Sequence, residues 1–310
     1  MTPPPEEPAY CSDLSQQAGE LLYGTATQTQ AFLLLEYNGV WGEKALDESN
    51  LPGPVKVRLN ELGKSIRGLK TLLIKTQRQP RSGSGLRLFV AALSSLTPRL
   101  YAFELVEYAD LLTLDVPAIL IGEPAYDAYR WEEPLYLVCA NGRRDLCCAR
   151  YGMPVYNALS GATQFSGEPQ VWQCTHVGGH RFAANLICLP HAVLYGRVHP
   201  ENALAILDTD CKGQIYLNNL RGRVAFPPLA QAAEYYLRRE HEEFSIDAYR
   251  LLDVQEITAG EWVVRFETHP VGEILTVQTR VGWTEGSVFE SCTLDKRTAM
   301  VHYDFQMVER

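Results

Sequence analysis

The sequence lacks several features, and each absence removes a class of protein. No run reaches the roughly 18 apolar residues of a transmembrane span. The opening MTPPPEEPAYCSDL has no basic stretch and no apolar core, so it does not read as a secretory signal. Basic residues are in the minority, and 28 Lys and Arg against 37 Asp and Glu leave a net charge of −9. That balance argues against a nucleic-acid or anionic-membrane surface. No two cysteines are spaced C-x-x-C, which disfavours a thioredoxin-type dithiol. Eight cysteines in 310 residues are too few for a disulfide-dense scaffold. A cytoplasmic, reducing setting with free thiols is the expectation.

What the sequence does have is a local concentration of metal-ligand chemistry. Cys139, Cys147, Cys148, Cys174 and Cys188 fall within one stretch of the chain. Cys139 and Cys148 sit in LVCANGRRDLCCARYG, and His176 and His180 in CTHVGGHRFAAN. Thiolates and imidazoles brought together from two loops are what a transition metal or an iron–sulfur cluster needs.

The order of elements says whether the loops meet. Residues 1–10 read as a flexible lead rich in Pro and Glu. SDLSQQAGELL follows as a short capped helix, AFLLLEY as a strand, VKVRLNELGKSIRGL as a helix, and KTLLIKTQ and LRLFVAALSS as strands around the loop QPRSGSG. LYAFELVEYADLLTLD passes from strand to short helix. The same order then returns. Leu35-Glu36-Tyr37-Asn38-Gly39 lies over Val138-Cys139-Ala140-Asn141-Gly142, Leu88–Ala91 over Leu186–Leu189, and Leu100–Phe103 over Leu194–Arg197.

We read an α/β fold of two tandem thioredoxin-like domains, 11–128 without ligands and 129–224 with them. A smaller α+β region covers 225–310, with a helix over PPLAQAAEYYLRREHEEF and four alternating strands. Parallel strands share their carboxyl ends, so the loops after the first two strands of the second unit emerge together. Glu36 stands in the first copy where Cys139 stands in the second.

In the second copy, Cys-x8-Cys is followed by His-x3-His. A zinc knuckle normally pairs cysteines two to four residues apart, so the wide spacing favours a [2Fe–2S] cluster over Zn2+. Gly178 and Gly179 permit positive φ and close backbone approach, while Gly142, Arg143, Arg144 and Arg150 surround the thiolates. Two neutral imidazoles in place of thiolates make reduction easier and open a route to proton coupling.

At these residues the sequence resembles the sucrase/ferredoxin-like family, over most of the chain. The blocks are CSDLSQQAGELLYGTA, FLLLEYNGVWG, VCANGRRDLCCARYGMPVY and HVGGHRFAANLICLP. The resemblance implies a thioredoxin-like ferredoxin with [2Fe–2S] ligands Cys139, Cys148, His176 and His180. The family spacing favours Cys148 over its neighbour Cys147, which stays the alternative ligand; Cys174 is read as a buried strand cysteine, with ligation as the alternative. No sucrase activity is expected, because no acid/base carboxylate pair can be identified.

The remaining residues are read against blander roles. Cys188 and Cys211 are expected to be apolar fillers, and Cys11 and Cys292 carry no signal. Arg143, Arg144 and Asp145 are expected to fix the cluster loop through an internal ion pair, with contact to a partner as the alternative. Arg181 is open between a place beside the cluster and simple solvation. Asn185 is expected to tether the histidine loop, and Trp41 and Trp172 to be core anchors. His191 and His199 are read as surface or turn residues. The leading function is an electron carrier or redox subunit with an unnamed redox partner protein, rather than a stand-alone enzyme. A structural zinc protein is second and a thiol oxidoreductase third. The two copies could pack as an internal pseudo-dimer, leaving a monomer or a weak homodimer.

Overall fold

The computed structural model describes residues 10–77, 85–93, 97–163, 170–293 and 295–308. Residues 1–9 of the lead, the QPRSGSG loop but for its last glycine, the end of LRLFVAALSS and the Glu168–Pro169 start of EPQVWQCTHVGGHRF lie outside the described residues. The chain forms a mixed α/β structure with one large sheet and one small antiparallel sheet.

A short helix α1 (Cys11–Gln17) leads into β1 (Ala31–Glu36), α2 (Gly53–Ser65) and β2 (Leu69–Lys75). Then come β3 (Leu86–Ala92), β4 (Arg99–Leu105) and α3 (Val116–Ile121). The second half runs β5 (Leu135–Cys139), α4 (Leu146–Ala162), β6 (Val171–Cys174), β7 (Leu186–Leu189), β8 (Val193–Tyr195), α5 (Pro200–Cys211) and β9 (Leu220–Arg223). α6 (Pro228–His241) precedes the small sheet of β10 (Tyr249–Thr258), β11 (Glu261–Thr268), β12 (Ile274–Phe289) and β13 (Arg297–Met307).

The large sheet has the order β4-β3-β1-β2-β6-β5-β7-β8-β9. In each half the first two strands are parallel, and the first and third are antiparallel. The registers agree as well: Leu35 faces Leu88 and Val138 faces Leu186. The hairpins do not superpose as the sequence blocks suggest. Leu88 faces Phe103 while Leu186 faces Tyr195, so the position equivalent to Tyr195 in the first half is Phe103 and not Tyr101. The longer β3–β4 connection shifts the pairing by two residues, which keeps the same face buried because side chains alternate with period two.

β1 reads AFLLLE and is buried at all six positions, because it is covered on both faces. Phe32 and Leu34 point to a core shared with Leu135, Leu137 and Cys139 of the other half. Leu33 and Leu35 point the opposite way, toward the core under α2. Tyr136 and Val138 do the same under α4 and α5. Phe89 and Trp172 meet edge-to-face at 5.8 Å in the shared core, so Trp172 is the core anchor that was expected. The halves join through antiparallel pairing of β2 with β6, at Ile74–Cys174 and Lys75–Gln173.

α1 departs from the sequence-based grouping. It belongs by order to the first unit, yet Ser12 Oγ donates to the Ala183 carbonyl at 2.8 Å in the second. The helix also has no side-chain cap, since Tyr10 stands at the capping position. α6 packs Ala230, Ala233 and Leu237 against Val264, Phe266 and Val277 of the small sheet. β12 runs on to Phe289, beyond the strand read from EILTVQTRVG, and carries the following Ser291-Cys292 back to the start of α4.

Candidate metal centre

The parallel pair β5 and β6 ends in register, with Cys139 opposite Cys174. The loops leaving the two strands therefore start side by side. Cys139 is the last residue of β5, and Cys148 lies in the first turn of α4. Their sulfurs are 3.6 Å apart. Cys148 Sγ is 3.7 Å from His180 Nδ1, and the His176 and His180 rings stack at 4.0 Å. The donor atoms of Cys139, Cys148 and His176 all lie within 4.8 Å of one another. The four residues singled out from the sequence thus meet at one place, on two loops at the carboxyl ends of two parallel strands.

Several groups shape these loops. Gly178 and Gly179 both have positive φ, at 108° and 74°, which turns the chain so that His176 and His180 face the same way. Asn185 Nδ2 donates to the Gly179 carbonyl at 3.0 Å, the tether expected of it. Arg221, fully buried on β9, donates to the Gly178 carbonyl at 3.0 Å and to Asn185 Oδ1 at 2.6 Å. Lys70 of β2 donates to the Val177 carbonyl at 2.6 Å. Burial pushes the Lys70 ammonium down to about 8. The half without ligands therefore helps to hold the histidine loop of the other.

The protonation states suit a metal. The hydrogen bond shared with Cys148, helped by His176, holds the Cys139 thiol below its ordinary value despite burial. The same shared bond, with burial, pushes Cys148 the other way, above its ordinary value. Burial, and then the neighbouring His176, lower His180 to about 4 and keep its ring neutral, the form that ligates. His176 Nδ1 is buried without a hydrogen-bond partner among the described residues, an orphan that a metal would satisfy. The donor set fits a thiophilic metal or an iron–sulfur cluster.

Cys147, the alternative to Cys148, turns the other way. Its sulfur is 3.5 Å from Cys11 and 3.2 Å from Cys292. Cys174 is buried next to Cys139 in the paired strand.

Other expectations need correction. Arg144 does not pair with Asp145 but reaches Glu43 of the first half at 3.0 Å. Asp145 is buried and accepts instead from Cys147 N at 2.9 Å, Cys292 N at 2.9 Å and Ser291 Oγ at 2.8 Å. A helix start needs acceptors for its free N–H groups, and this carboxylate supplies one. Arg181 is bound to Glu20 at 2.8 Å and lies over the Phe182 ring. Cys211 is exposed rather than a filler.

Gly142 packs where a Cβ would stand 2.6 Å from Ala149 Cβ, bringing the cysteine loop down onto α4. Gly152 on α4 lies directly against the Cys139 carbonyl, where a Cβ would collide. Sequence reading missed Gly152, Arg221 and Lys70. A glycine inside a helical pattern was the one available signal, for Gly152. Arg221 and Lys70 come from strands distant in sequence and carried none.

A family model described as Sucrase/ferredoxin-like matches residues 22–222, more than half of the chain. The chain is also similar to Altered inheritance of mitochondria protein 32 of Meyerozyma guilliermondii, 35% identical over 99 residues, covering 30% of this chain and 35% of that protein. The protein of the same name from Eremothecium gossypii is 26% identical over 122 residues, covering 36% of this chain and 39% of its own. Each match spans well under half of the relative's length. No solved structure matches. The matched region contains β1 to β8 and all four donors of the centre, and on that ground the chain belongs to the sucrase/ferredoxin-like family.

Proposed function

We propose that this protein transfers electrons through a [2Fe–2S] cluster held by Cys139, Cys148, His176 and His180. It would work as a carrier or redox subunit with a partner protein, with no sugar cleavage. The observation that carries the reading is the meeting of two thiols and two imidazoles from two loops, with Cys148 rather than Cys147 beside Cys139. Such a cluster supplies one-electron chemistry. The chain's own part is to lower the Cys139 thiol, keep His180 neutral, and bury the two cysteines in the wall of the shared core.

The reading includes a tandem thioredoxin-like duplication packed as an internal pseudo-dimer. The matching strand pairings of the two halves and their common core support it. In the first half, Glu36 replaces Cys139 and accepts from Arg87 N at 2.9 Å, so a ligand position has become a strand tie. Imidazole ligation also allows a ring proton to leave on oxidation. A reduction potential that stays flat between about pH 6 and pH 10 removes that part of the proposal.

A structural zinc site is the second reading. It is favoured by the compactness of Cys139, Cys148 and His176, whose donors lie within 4.8 Å. Purification without oxygen separates the two. Red-brown protein bleached by dithionite is the expected result, and colourless protein holding zinc at these residues overturns the leading reading. Cys139→Ala and Cys148→Ala should each abolish the colour.

A further inference from the structure

Three cysteines that the centre above does not use lie together on its far side. Cys11 opens α1, Cys147 is the second residue of α4, and Cys292 follows β12. Their sulfurs form a triangle with edges of 3.2 Å (Cys147–Cys292), 3.4 Å (Cys11–Cys292) and 3.5 Å (Cys11–Cys147). Asp145 Oδ1 is 4.0 Å from Cys11 Sγ, and the four donor atoms lie within 4.8 Å of one another. Cys11, Asp145 and Cys147 are buried, and all the cysteines are free.

We propose that Cys11, Cys147, Cys292 and Asp145 form a second metal site, a closed tetrahedral one for a single zinc ion. The triangle is close to what one ion imposes: a Zn–S length of 2.3 Å puts two thiolates about 3.8 Å apart. An iron–sulfur cluster would spread its ligands over several metals, so three sulfurs this close suit a mononuclear centre. A disulfide needs one pair of sulfurs to approach to about 2.05 Å, and here no pair is singled out. Three soft donors and one hard one in a tetrahedral set select zinc over magnesium or calcium.

The fourth ligand is built for the task. Asp145 is buried, and Cys292 N, Ser291 Oγ and Cys147 N all donate to its carboxylate and fix its orientation. Those bonds load Oδ2 twice and Oδ1 once, leaving Oδ1 a lone pair toward the sulfurs. Zinc binding displaces the thiol protons to solvent, with no electron transferred. A closed site has no open position for catalysis, so the role is structural. It joins three segments: α1, the start of α4 and the turn after β12. Since α4 also carries Cys148, zinc here fixes one ligand loop of the first centre.

The test is metal content per chain, measured on the full-length protein with the visible spectrum recorded in parallel. Wild type should hold one zinc that persists in Cys139→Ala. Cys11→Ser and Cys292→Ser should each lose that zinc while keeping the visible spectrum. Equal zinc in wild type and in both folded serine variants overturns the proposal. Should the serine variants not fold, cobalt loaded into the Cys139→Ala/Cys148→Ala double variant, which leaves the first centre no thiol, gives thiolate charge transfer from this site alone. Tetrahedral bands with thiolate charge transfer support it. A lack of them, or a disulfide among the three cysteines of freshly isolated protein, overturns it. Failure of the cluster reading appears as missing colour, and failure of this one as missing zinc, so the two are separable.

Discussion

Cys147 and Cys148 are consecutive, yet their sulfurs belong to different groups. Cys148 Sγ stands 3.6 Å from Cys139 and Cys147 Sγ 3.2 Å from Cys292. Neighbouring residues in the first turn of a helix project about 100° apart, so one dipeptide can serve two sites on two sides of α4. The Asp145 cap fixes where that helix begins, and so decides which cysteine faces which way.

Gly152→Ala tests the closeness of α4 to β5. Its Cβ would collide with the Cys139 carbonyl, so the helix must move away. We expect a loss of about 1–3 kcal/mol in denaturant unfolding, the usual effect of overpacking. Gly161→Ala on the same helix meets nothing within 4 Å and should be neutral or stabilising by up to about 1 kcal/mol. Equal effects at the two positions would remove the argument.

Arg221→Met tests support of the histidine loop from outside it. The substitution keeps the volume but leaves the Gly178 carbonyl and Asn185 Oδ1 without their donor. Loss of such outer contacts typically weakens metal binding about 10–100-fold. Competition with a chelator should show that drop for a metal loaded at the proposed Cys139 site, and an unchanged affinity would make Arg221 a core residue only.

Glu234→Gln tests a buried charge network. Glu234 on α6 is fully buried between Arg223 and Arg238, each at 2.8 Å. Burial alone would raise its carboxyl, but the two guanidinium groups win and hold it below 4.5. Removing the anion leaves two buried cations uncompensated, a loss of about 3–5 kcal/mol. A depressed carboxyl stabilises above its unfolded value, and that contribution disappears as pH falls through the lower folded value. Acid unfolding followed by circular dichroism should therefore be steeper in wild type than in the variant.

Asp210 has the opposite sign. Burial pushes its carboxyl up to about 6, although the Tyr136 hydroxyl donates to it at 2.9 Å. A raised value means the folded state holds the proton more tightly. The contribution is complete below 3.8 and is lost as pH rises through about 6. Asp210→Asn cannot ionise, so its stability relative to wild type should climb between those two values and then level off. A constant difference across that window would refute the assignment.

Some of this was legible in the chain. AFLLLEY and LYLVCANGRRD show their strands by unbroken apolar runs, and the Asn-Gly turns mark corresponding ends of the two halves. His-x3-His around Gly178-Gly179 and the pair Cys139 and Cys148 could be named because each lies within one loop or its flanks. The hairpin register was not legible, since Tyr101 and Tyr195 look alike and only the lengths of the connections separate them. Arg181 could not be placed either, because its partner Glu20 lies in a loop far off in sequence.

The sequence by itself determined the chemistry: two thiols and two imidazoles at fixed spacing, no membrane-spanning run and an acidic balance. It determined that much because local spacing and residue type survive without a fold. Tertiary structure alone decided that Cys11 and Cys292, 281 positions apart, meet at Cys147. It also decided that Lys70 and Arg221 brace the histidine loop from two different strands. Those contacts depend on sheet order and helix packing, which bring together residues whose separation along the chain carries no record of the encounter.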